Sequence, residues 1–236
     1  MNAWPSLHTV LYDGWVLRFA KGVTRRANSI NPIYESTISI ENKIRHCEDV
    51  YLNSNLPVIY KLTSTVFPPN LDMLLDKEGY LKDAETSVQV KTIKGEIFKS
   101  NKSIKISEQF KADWLLRFIE FNSYDINKKD GFESILKHII QKKCFLDVVA
   151  DNKYIGCGLG VLEDKFIGLF DIVVKPEFRK QGYGKLIVES LLDWGKTNGA
   201  ETAYLQVMLN SPNAINLYKK IGFNEVYKYW YRVKQK

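Results

Sequence analysis

The sequence predicts an α/β or α+β fold with a mixed sheet, because strand-like and helix-like segments alternate along its length. The strand-like segments are short and rich in Val, Ile, Tyr and Phe, whereas the helical ones repeat apolar residues at intervals of three and four. The chain has 236 residues, of which 45% are hydrophobic and 26% charged. That length and composition suit a globular protein with one large domain or two small ones.

In the first half, turn residues mark the ends of several predicted elements. Asp13-Gly14 precedes a strand, Asn31-Pro32 ends the next one, and Gly79 stops a short helix. The predicted elements are a short helix over 7–11, strands over 15–20 and 26–30, a helix over 40–52, a strand over 58–62, a helix over 71–77 and a strand over 86–92.

The second half follows a polar segment, residues 94–103, which is the best linker candidate. Its longest helix buries Ile187, Leu191 and Trp194, and Gly222 ends its last helix. The predicted elements are a strand over 104–109, helices over 112–122 and 132–141, strands over 145–150, 154–162 and 165–174, a helix over 184–197, a strand over 202–207, a short helix ending near 221 and a strand over 226–233.

Charge and hydropathy exclude several classes of protein. No run of apolar residues approaches the length of about eighteen that a membrane span needs. Met1–Pro5 lacks the basic and then apolar pattern of a secretion signal. We therefore expect a cytoplasmic protein without a membrane partner. The net charge is +7, but the lysines are scattered and the aromatic residues occupy core-like positions. Nucleic acid is therefore not an expected partner, whereas a coenzyme carrying phosphates would use the same positive charge.

Cysteine and histidine spacing gives no indication of a metal site. The three cysteines are Cys47, Cys144 and Cys157, and none of them forms a Cys-x-x-Cys pair. This spacing predicts buried free thiols instead of a zinc site or a disulfide framework. The three histidines, His8, His46 and His138, are far apart in the sequence and lie in dissimilar contexts. This distribution argues against a metal cluster or a Cys-His nucleophile.

The most informative segment runs from Val173 to Gly184 and joins a buried strand to an amphipathic helix through Arg-x-x-Gly-x-Gly. Two glycines let successive backbone N–H groups point into one concavity, and the helix start adds its positive dipole end. Arg179 and Lys180 add formal charge. This combination predicts a phosphate site, although the segment by itself is equally consistent with an ordinary basic surface turn.

Two better-known phosphate loops do not fit this segment. A dinucleotide-binding loop requires Gly-x-Gly-x-x-Gly, but the glycine after Gly184 is Gly195. A Walker loop requires Gly-Lys-Ser or Gly-Lys-Thr, but Leu186 follows Gly184-Lys185.

A second motif lies downstream, where Ala214, Leu217, Tyr218 and Ile221 recur at helical spacing before Gly222-Phe223. With this motif, the run from 167 to 231 resembles the GCN5-related N-acetyltransferase (GNAT) family. The acetyl-CoA signature of that family is Arg/Gln-x-x-Gly-x-Gly/Ala after a strand, followed by a helix reading Ala-x-x-Leu-Tyr that closes on Gly-Phe. The resemblance implies a mixed, mostly antiparallel sheet flanked by helices, and acetyl transfer from acetyl-CoA to a primary amine.

The resemblance also implies which residues hold the coenzyme. In that family the strand before the turn carries a bulge and splays from its neighbour, so that its backbone binds the pantetheine arm and the acetyl oxygen. By position, the expected coenzyme-binding residues are Ile172, Val173, Val174, Arg179, Lys180, Gln181, Gly182, Tyr183 and Gly184. Family members often have an asparagine seven residues before the tyrosine, where this chain has Ser211, and Asn213 is the other candidate for that contact.

Two residues are expected at the reacting centre. The family places the tyrosine of the Leu-Tyr pair near the coenzyme sulfur, which makes Tyr218 the expected general acid. A tyrosine on an apolar helical face is otherwise a core residue. Asp171 is the candidate base for the incoming amine, or else a structural hydrogen-bond acceptor.

The two halves also match each other at an offset of 143 residues, which aligns 74–80 with 217–223 and 58–62 with 201–205. These matches predict a tandem duplication, although two α/β halves can share this order by chance. We expect a degenerate N-terminal domain over 1–98 and a catalytic domain over 103–236. Positions equivalent to the phosphate turn are Ser36, Ser39 and Glu41, so the first copy is not expected to bind coenzyme.

The acceptor is left open by the sequence, because neither the fold nor the coenzyme site specifies it. Trp4, Trp15, Arg25 and Arg26 of the first half either line an acceptor groove or only pack and solvate. The alternative to an enzyme is a non-enzymatic acyl-CoA-binding or sensing module, which would not need Tyr218. A nucleotide-binding protein is a more distant third possibility.

Overall fold

The structure is a computed structural model that describes residues 1–98 and 101–234. The chain divides into two compact units. Unit 1 comprises Met1–Ala3, Val88–Val207 and Ser211–Val226, and unit 2 comprises Trp4–Ser87, Met208–Asn210 and Tyr227–Lys236. The predicted linker, 94–103, includes residues 99 and 100, which lie outside the described residues.

Unit 2 contains a sheet with strand order β1-β2-β3-β4-β11. All its neighbouring strands are antiparallel except the parallel pair β3–β4. The strands are β1 (His8–Tyr12), β2 (Trp15–Phe19), β3 (Ile30–Pro32), β4 (Ile59–Thr63) and β11 (Asn224–Val233), and the helices are α1 (Ile40–Asn53) and α2 (Leu71–Lys77). Strand β5 (Leu81–Thr92), like β11, has residues in both units.

Unit 1 repeats this pattern with strand order β10-β9-β8-β7-β6, antiparallel except for β9–β10. Its elements are β6 (Ile104–Ser107), α3 (Ala112–Asn122), α4 (Lys129–His138), β7 (Lys143–Ala150), β8 (Lys153–Glu163), β9 (Phe166–Val174), α5 (Tyr183–Thr197), β10 (Thr202–Met208) and α6 (Pro212–Ile221). The prediction of mixed, mostly antiparallel sheet flanked by helices is confirmed.

Each unit has its own hydrophobic core. In unit 1, α5 buries Ile187 and Leu191 in a cluster that also contains Leu169 of β9 and Tyr218 of α6. In unit 2, Trp15, Tyr51, Tyr60 and Tyr80 form an aromatic cluster with the aliphatic residues of α1 and α2. The three cysteines are buried free thiols, as predicted.

Two predicted elements near the N-terminus are wrong. The predicted helix over 7–11 is strand β1, which pairs with β2 from His8↔Phe19 to Tyr12↔Trp15. The two-residue Asp13-Gly14 turn favours such a hairpin, and five residues are too few for a stable isolated helix. The predicted strand over 26–30 begins only at Ile30, because residues 24–28 form a turn in which the Asn28 N–H donates to the Thr24 carbonyl at 3.0 Å.

Within the described ranges, no helix combines the length and the apolar character needed to cross a membrane. Over the same ranges, no cluster of three or more His, Cys, Asp or Glu side chains is arranged to hold a metal ion.

Candidate functional site

The turn between β9 and α5 has the backbone conformation that an anion site requires. Lys180 has φ of +61° and Gly182 has φ of +89°. Gly182 immediately precedes the first residue of α5, and a Cβ at this position would meet no atom within 4 Å. A glycine is therefore favoured here by the positive φ and not by a lack of space.

The first turn of α5 presents free backbone donors. The intrahelical hydrogen bonds start with the Leu186 N–H, which donates to the Gly182 carbonyl at 3.0 Å. No side chain of residues 1–98 or 101–234 caps this end, so within these ranges the N–H groups of Tyr183, Gly184 and Lys185 remain available where the helix dipole is positive. Together with the exposed Arg179, these donors can bind phosphate oxygens.

Gly184 has a second role, which is to let α6 approach α5. A Cβ on Gly184 would lie 3.2 Å from Cδ2 of Leu217. The two sequence motifs are thus in direct contact through this glycine and the residue that precedes Tyr218.

The predicted side chains of the turn are anchored to the backbone around it. Arg179 Nε donates to the Val174 carbonyl at 3.0 Å, and Gln181 Nε2 donates to the Glu177 carbonyl at 3.2 Å. Arg179 therefore links the end of β9 to the turn, which fixes the path of the chain into α5.

Strand β9 carries a bulge just before this turn. The β8–β9 register shifts between Cys157↔Val173 and Leu159↔Phe170, so that one residue of β8 faces both Asp171 and Ile172. Asp171 has φ of +52°, which is unusual for a residue with a side chain. Such a bulge bends the strand and increases its local twist, and the pairing with β8 resumes at Val173.

Strands β9 and β10 also separate at this level. Their parallel register runs from Phe166↔Thr202 to Leu169↔Leu205 and extends no further. Ile172, Val173 and Val174 lie beyond the last pair, so their edge towards β10 is not used by that ladder. Such an edge offers N–H and C=O groups to an extended ligand.

Tyr218 is buried on α6, with 8% of its surface exposed, and its ring packs edge-on against Phe223 at 6.0 Å between centroids. Its hydroxyl forms no hydrogen bond with the part of the chain that the structure describes. Burial raises the pKa of Tyr218 to about 12. The hydroxyl is therefore fully protonated near neutral pH and can donate a proton or a hydrogen bond.

Asp171 and Cys157 lie close enough to interact electrostatically. Burial raises the pKa of the Cys157 thiol well above its usual value, and the charges of Asp147 and Asp171 add to this effect. The thiol is consequently protonated and unsuited to act as a nucleophile. Asp171 is half-buried and lies within the bulge itself.

The remaining two coenzyme candidates lie at the start of α6. Ser211 is the residue before the helix, and its carbonyl accepts the Ala214 and Ile215 N–H groups at 3.1 Å, but its side chain does not cap the helix. Asn213 lies in the first turn and is exposed. Their contact with a coenzyme stays a prediction.

An ion pair between α3 and β7 was not predicted from the sequence. Arg117 of α3 binds Asp147 of β7 through Nε–Oδ1 at 2.9 Å and Nη2–Oδ2 at 2.6 Å. Asp147 lies opposite Cys157, which lies opposite Val173, and the pair borders a pocket of about 220 Å³ with Trp114. A helix residue and a strand residue thirty positions apart give no pairing signal in a single sequence.

In unit 2, an anionic side chain binds the turn that precedes α1. The Asp13 carboxylate accepts the Thr37 N–H at 2.9 Å and the Ile38 N–H at 2.8 Å, just before α1 begins at Ile40. These two backbone hydrogen bonds hold the pKa of Asp13 well below its usual value. Lys43 lies 3.3 Å from the same carboxylate.

Comparison with known proteins agrees with this geometry. Residues 1–232 match the family model described as the C-terminal part of the probable histone acetyltransferase Rv0428c. The chain belongs to this family of GCN5-related N-acetyltransferases. As a member of the family, it is an acetyl-CoA-dependent N-acetyltransferase.

Individual relatives support this assignment. N-acetyltransferase YobR of Bacillus subtilis is 28% identical over 238 residues, covering 99% of this chain and 95% of YobR. The ribosomal protein bS18-alanine N-acetyltransferase of Salmonella typhimurium is 42% identical over 57 residues, which is 24% of this chain and 38% of that enzyme.

Solved structures share the fold at low identity. A GCN5-related N-acetyltransferase from Kribbella flavida aligns with a TM-score of 0.72 at 11% identity, covering 98% of this chain and 90% of that one. A tandem GNAT protein from the clavulanic acid biosynthesis pathway aligns with a TM-score of 0.63 at 9% identity, covering 82% of this chain and 69% of that one.

Proposed function

We propose that unit 1 carries out the acetyl transfer, with acetyl-CoA bound along the open edge of β9 and at the N-terminal turn of α5. The observation that carries this proposal is a strand end whose edge towards β10 lies outside the β9–β10 ladder, followed nine residues later by a helix start that no side chain among the described residues caps. The strand end comprises Ile172–Val174, and the turn runs from Arg179 to Gly184. The first supports hydrogen bonds to an amide-containing arm, and the second supports binding of a diphosphate.

Acetyl-CoA supplies the acetyl group as a thioester, which an amine can attack directly. The backbone N–H groups at the end of β9 are suited to stabilise negative charge that develops on the acetyl oxygen. Because the β9 bulge fixes their direction before any ligand binds, they need little reorganisation.

Tyr218 is our proposed general acid. Its raised pKa keeps the hydroxyl protonated, so it can deliver a proton to a departing thiolate. The absence of a hydrogen-bond partner among the described residues leaves that proton uncommitted. A residue needed only for packing would not have to keep the hydroxyl.

Asp171 is our proposed acceptor for the proton that the incoming ammonium must lose. Its position in the bulge places it one residue before the backbone donors. Since only a neutral amine attacks a thioester, the role that we propose for this carboxylate is to accept the ammonium proton, directly or through water, before the attack.

We further propose that unit 2 is a degenerate copy that does not bind coenzyme. Helices α1 and α5 begin 143 residues apart, at Ile40 and Tyr183, and strands β5 and β11 begin at the same offset, at Leu81 and Asn224. The similarity to a tandem GNAT protein supports this duplication. In unit 2 the Asp13 carboxylate takes the backbone donors that a phosphate would need.

The acceptor that we propose is a primary amine, and we place the enzyme in the cytoplasm. The experiment that tests the function is a coenzyme-release assay with purified protein, acetyl-CoA and a panel of small amines, amino acids, peptides and protein N-termini. Release that requires a particular amine and yields its acetylated product supports the proposal. Tight acetyl-CoA binding without turnover for the whole panel would instead favour the sensing alternative.

A further inference from the structure

Strand β6 forms the outer edge of the unit 1 sheet. It is the last strand in the order β10-β9-β8-β7-β6, and within residues 1–98 and 101–234 no strand pairs with its outer side. Just before β6, the Ser103 carbonyl accepts a hydrogen bond from the Val149 N–H at 2.7 Å. Hydrogen-bonded and non-hydrogen-bonded pairs alternate along an antiparallel ladder, so the N–H and C=O groups of Ile106 point away from β7. They are positioned to pair with an added strand.

A pocket of about 220 Å³ lies between this edge and helix α3. Lys105 of β6 is directly opposite Asp147 of β7, and the Asp147 carboxylate binds Arg117 of α3. Opposite residues of a ladder point to the same face of the sheet, so the Lys105 side chain faces the pocket. Tyr154 contributes an aromatic wall, because its ring centroid lies 4.0 Å from Cζ of Arg117 and 5.6 Å from Nζ of Lys105.

The lining of the pocket carries more positive than negative charge. Its charged residues are three cations and two carboxylates, namely Lys105, Lys111, Arg117, Asp113 and Asp147. Arg117 and Asp147 neutralise each other through their two hydrogen bonds. Neither Lys105 nor Lys111 forms an ion pair or a side-chain hydrogen bond with any residue that the structure describes. Since the exposed Asp113 is the one other carboxylate of the lining, an excess of one positive charge remains beside the edge.

Both lysines already act on a carboxylate in this pocket. Burial raises the pKa of Asp147, and the charges of Arg117, Lys105 and Lys111 partly offset this effect. A second carboxylate that enters the pocket would come within reach of the same two lysines, and opposite charges attract more strongly at a partly buried site than in bulk water.

The size of the pocket suits one side chain better than a whole ligand. Small-molecule sites usually have volumes of about 300–1,000 Å³, which exceeds the 220 Å³ found here. An extended peptide that pairs with a sheet edge gains main-chain hydrogen bonds and places alternate side chains in pockets. In an antiparallel pair with β6, the peptide residue opposite Lys105 would point towards the pocket, and the residue opposite Ile106 would point to the other face of the sheet.

We propose that the outer edge of β6 and the pocket beside it, here called the β6 edge site, bind an extended segment of a partner protein in which acidic and apolar residues alternate. The segment pairs antiparallel with β6, as the neighbouring strands β7 and β8 do. Its acidic side chains lie beside Lys105 and Lys111, and its apolar side chains lie beside Ile106, which is 42% exposed. Opposite charges directly across a strand pair stabilise the pairing.

The β6 edge site lies within unit 1 but contains none of the residues assigned to acetyl transfer. It therefore stands or falls independently of the proposed roles of Tyr218 and Asp171. Binding is measured on the full chain without acetyl-CoA, so the outcome does not depend on turnover.

The first test uses a fluorescein-labelled peptide of sequence Glu-Val-Glu-Val-Glu with an amidated C-terminus, and fluorescence anisotropy measures its binding in about 150 mM sodium chloride. A peptide with lysine in place of glutamate is the charge control, and unlabelled oligothymidylate is the competitor. The acidic peptide should bind, and the lysine peptide should not. No binding of the acidic peptide up to about 1 mM protein, or its displacement by an equal concentration of oligothymidylate, would overturn the proposal.

Two N-methylated peptides test the strand pairing on the unmodified protein. In the antiparallel arrangement, the valine opposite Ile106 exchanges main-chain hydrogen bonds with β6, whereas the N–H groups of the glutamates point outward. N-methylation of the valines should therefore weaken binding at least tenfold, and N-methylation of the glutamates should change it less than threefold. Equal affinities of the two methylated peptides would overturn the pairing with β6.

A matched pair of double variants tests the contribution of the pocket. Lys105→Gln with Lys111→Gln should weaken binding of the acidic peptide at least fivefold, because both attractive charges are removed. Lys219→Gln with Lys220→Gln removes the same charge from exposed positions of α6 and should change binding less than twofold. Equal binding by the two double variants would also overturn the proposal.

Discussion

Replacing Gly182 by valine tests the phosphate turn at one backbone position. Gly182 has φ of +89°, and no atom lies within 4 Å of a Cβ built on it. A β-branched residue rarely adopts this conformation, so the turn should relax towards negative φ. That change redirects the N–H groups of the first turn of α5, which we propose to bind the diphosphate.

The expected losses differ greatly in size between stability and binding. The left-handed conformation costs a residue with a Cβ about 1–2 kcal/mol, which is small against the roughly 5–15 kcal/mol that stabilises a folded domain. Hydrogen bonds to a charged group contribute about 1.5–3 kcal/mol each. Loss of two such bonds would weaken coenzyme binding by a factor on the order of 100 to 10,000.

The control variant is Gly199→Val, at the other end of the same helix. Gly199 has φ of +98° and likewise has no atom within 4 Å of a built Cβ. It therefore imposes a comparable backbone strain far along α5 from the proposed phosphate site. Calorimetric titration with CoA measures affinity, and thermal denaturation measures the stability of each variant.

We expect both variants to lose a similar, small amount of stability, whereas only Gly182→Val should lose CoA binding. Unchanged affinity in Gly182→Val would refute the phosphate-turn argument. Equal affinity losses in the two variants would show that α5 responds to strain in general, which would also contradict the proposed local role.

Four further predictions concern three side chains. Tyr218→Phe should lower kcat by about 100-fold or more while acetyl-CoA affinity stays within about twofold, because a general acid contributes to turnover. Steady-state kinetics measures kcat, and calorimetry measures the affinity. Equal losses in both quantities would assign the ring to packing. The same substitution should also remove a pH dependence of the free energy of unfolding. Because the pKa of Tyr218 is raised to about 12 in the fold, its contribution to stability is complete below pH 10 and is lost between pH 10 and 12. The difference in unfolding free energy between wild type and Tyr218→Phe should therefore fall over that interval. Asp171→Asn should shift the acidic limb of the kcat/KM profile, and an unaltered profile would leave Asp171 a structural role. Asp13→Ala should lower the melting temperature, because the Thr37 and Ile38 N–H groups lose their acceptor. Added sulfate should restore part of the lost melting temperature. If sulfate raises the melting temperature of the variant no more than that of wild type, Asp13 does not occupy an anion position.

The sequence motifs could be predicted because each depends on residues that are close together in the chain. Glycine at a positive φ, an apolar repeat at three and four residues and a terminating Gly222 are all visible in the sequence. The helix over 112–122 has the predicted bounds for the same reason. The hairpin of β1 was missed because its stability comes from pairing with β2 and not from its own composition.

Non-local features could not be read from a single chain. The bulge at Asp171 depends on the register with β8, and the separation of β9 from β10 is a property of backbone geometry. The contact of Asp13 with Thr37 joins segments that sequence spacing does not connect. These features decide where charge and unpaired backbone groups accumulate, so the proposed functional roles depend on the three-dimensional structure.

A crystal structure of the full chain with CoA would locate the coenzyme directly. We expect one diphosphate per chain, bound by the N–H groups of Tyr183, Gly184 and Lys185 at the start of α5, with the pantetheine arm along Ile172–Val174. A diphosphate at the start of α1 beside Asp13, or a diphosphate away from both helix starts, would contradict the proposed coenzyme site.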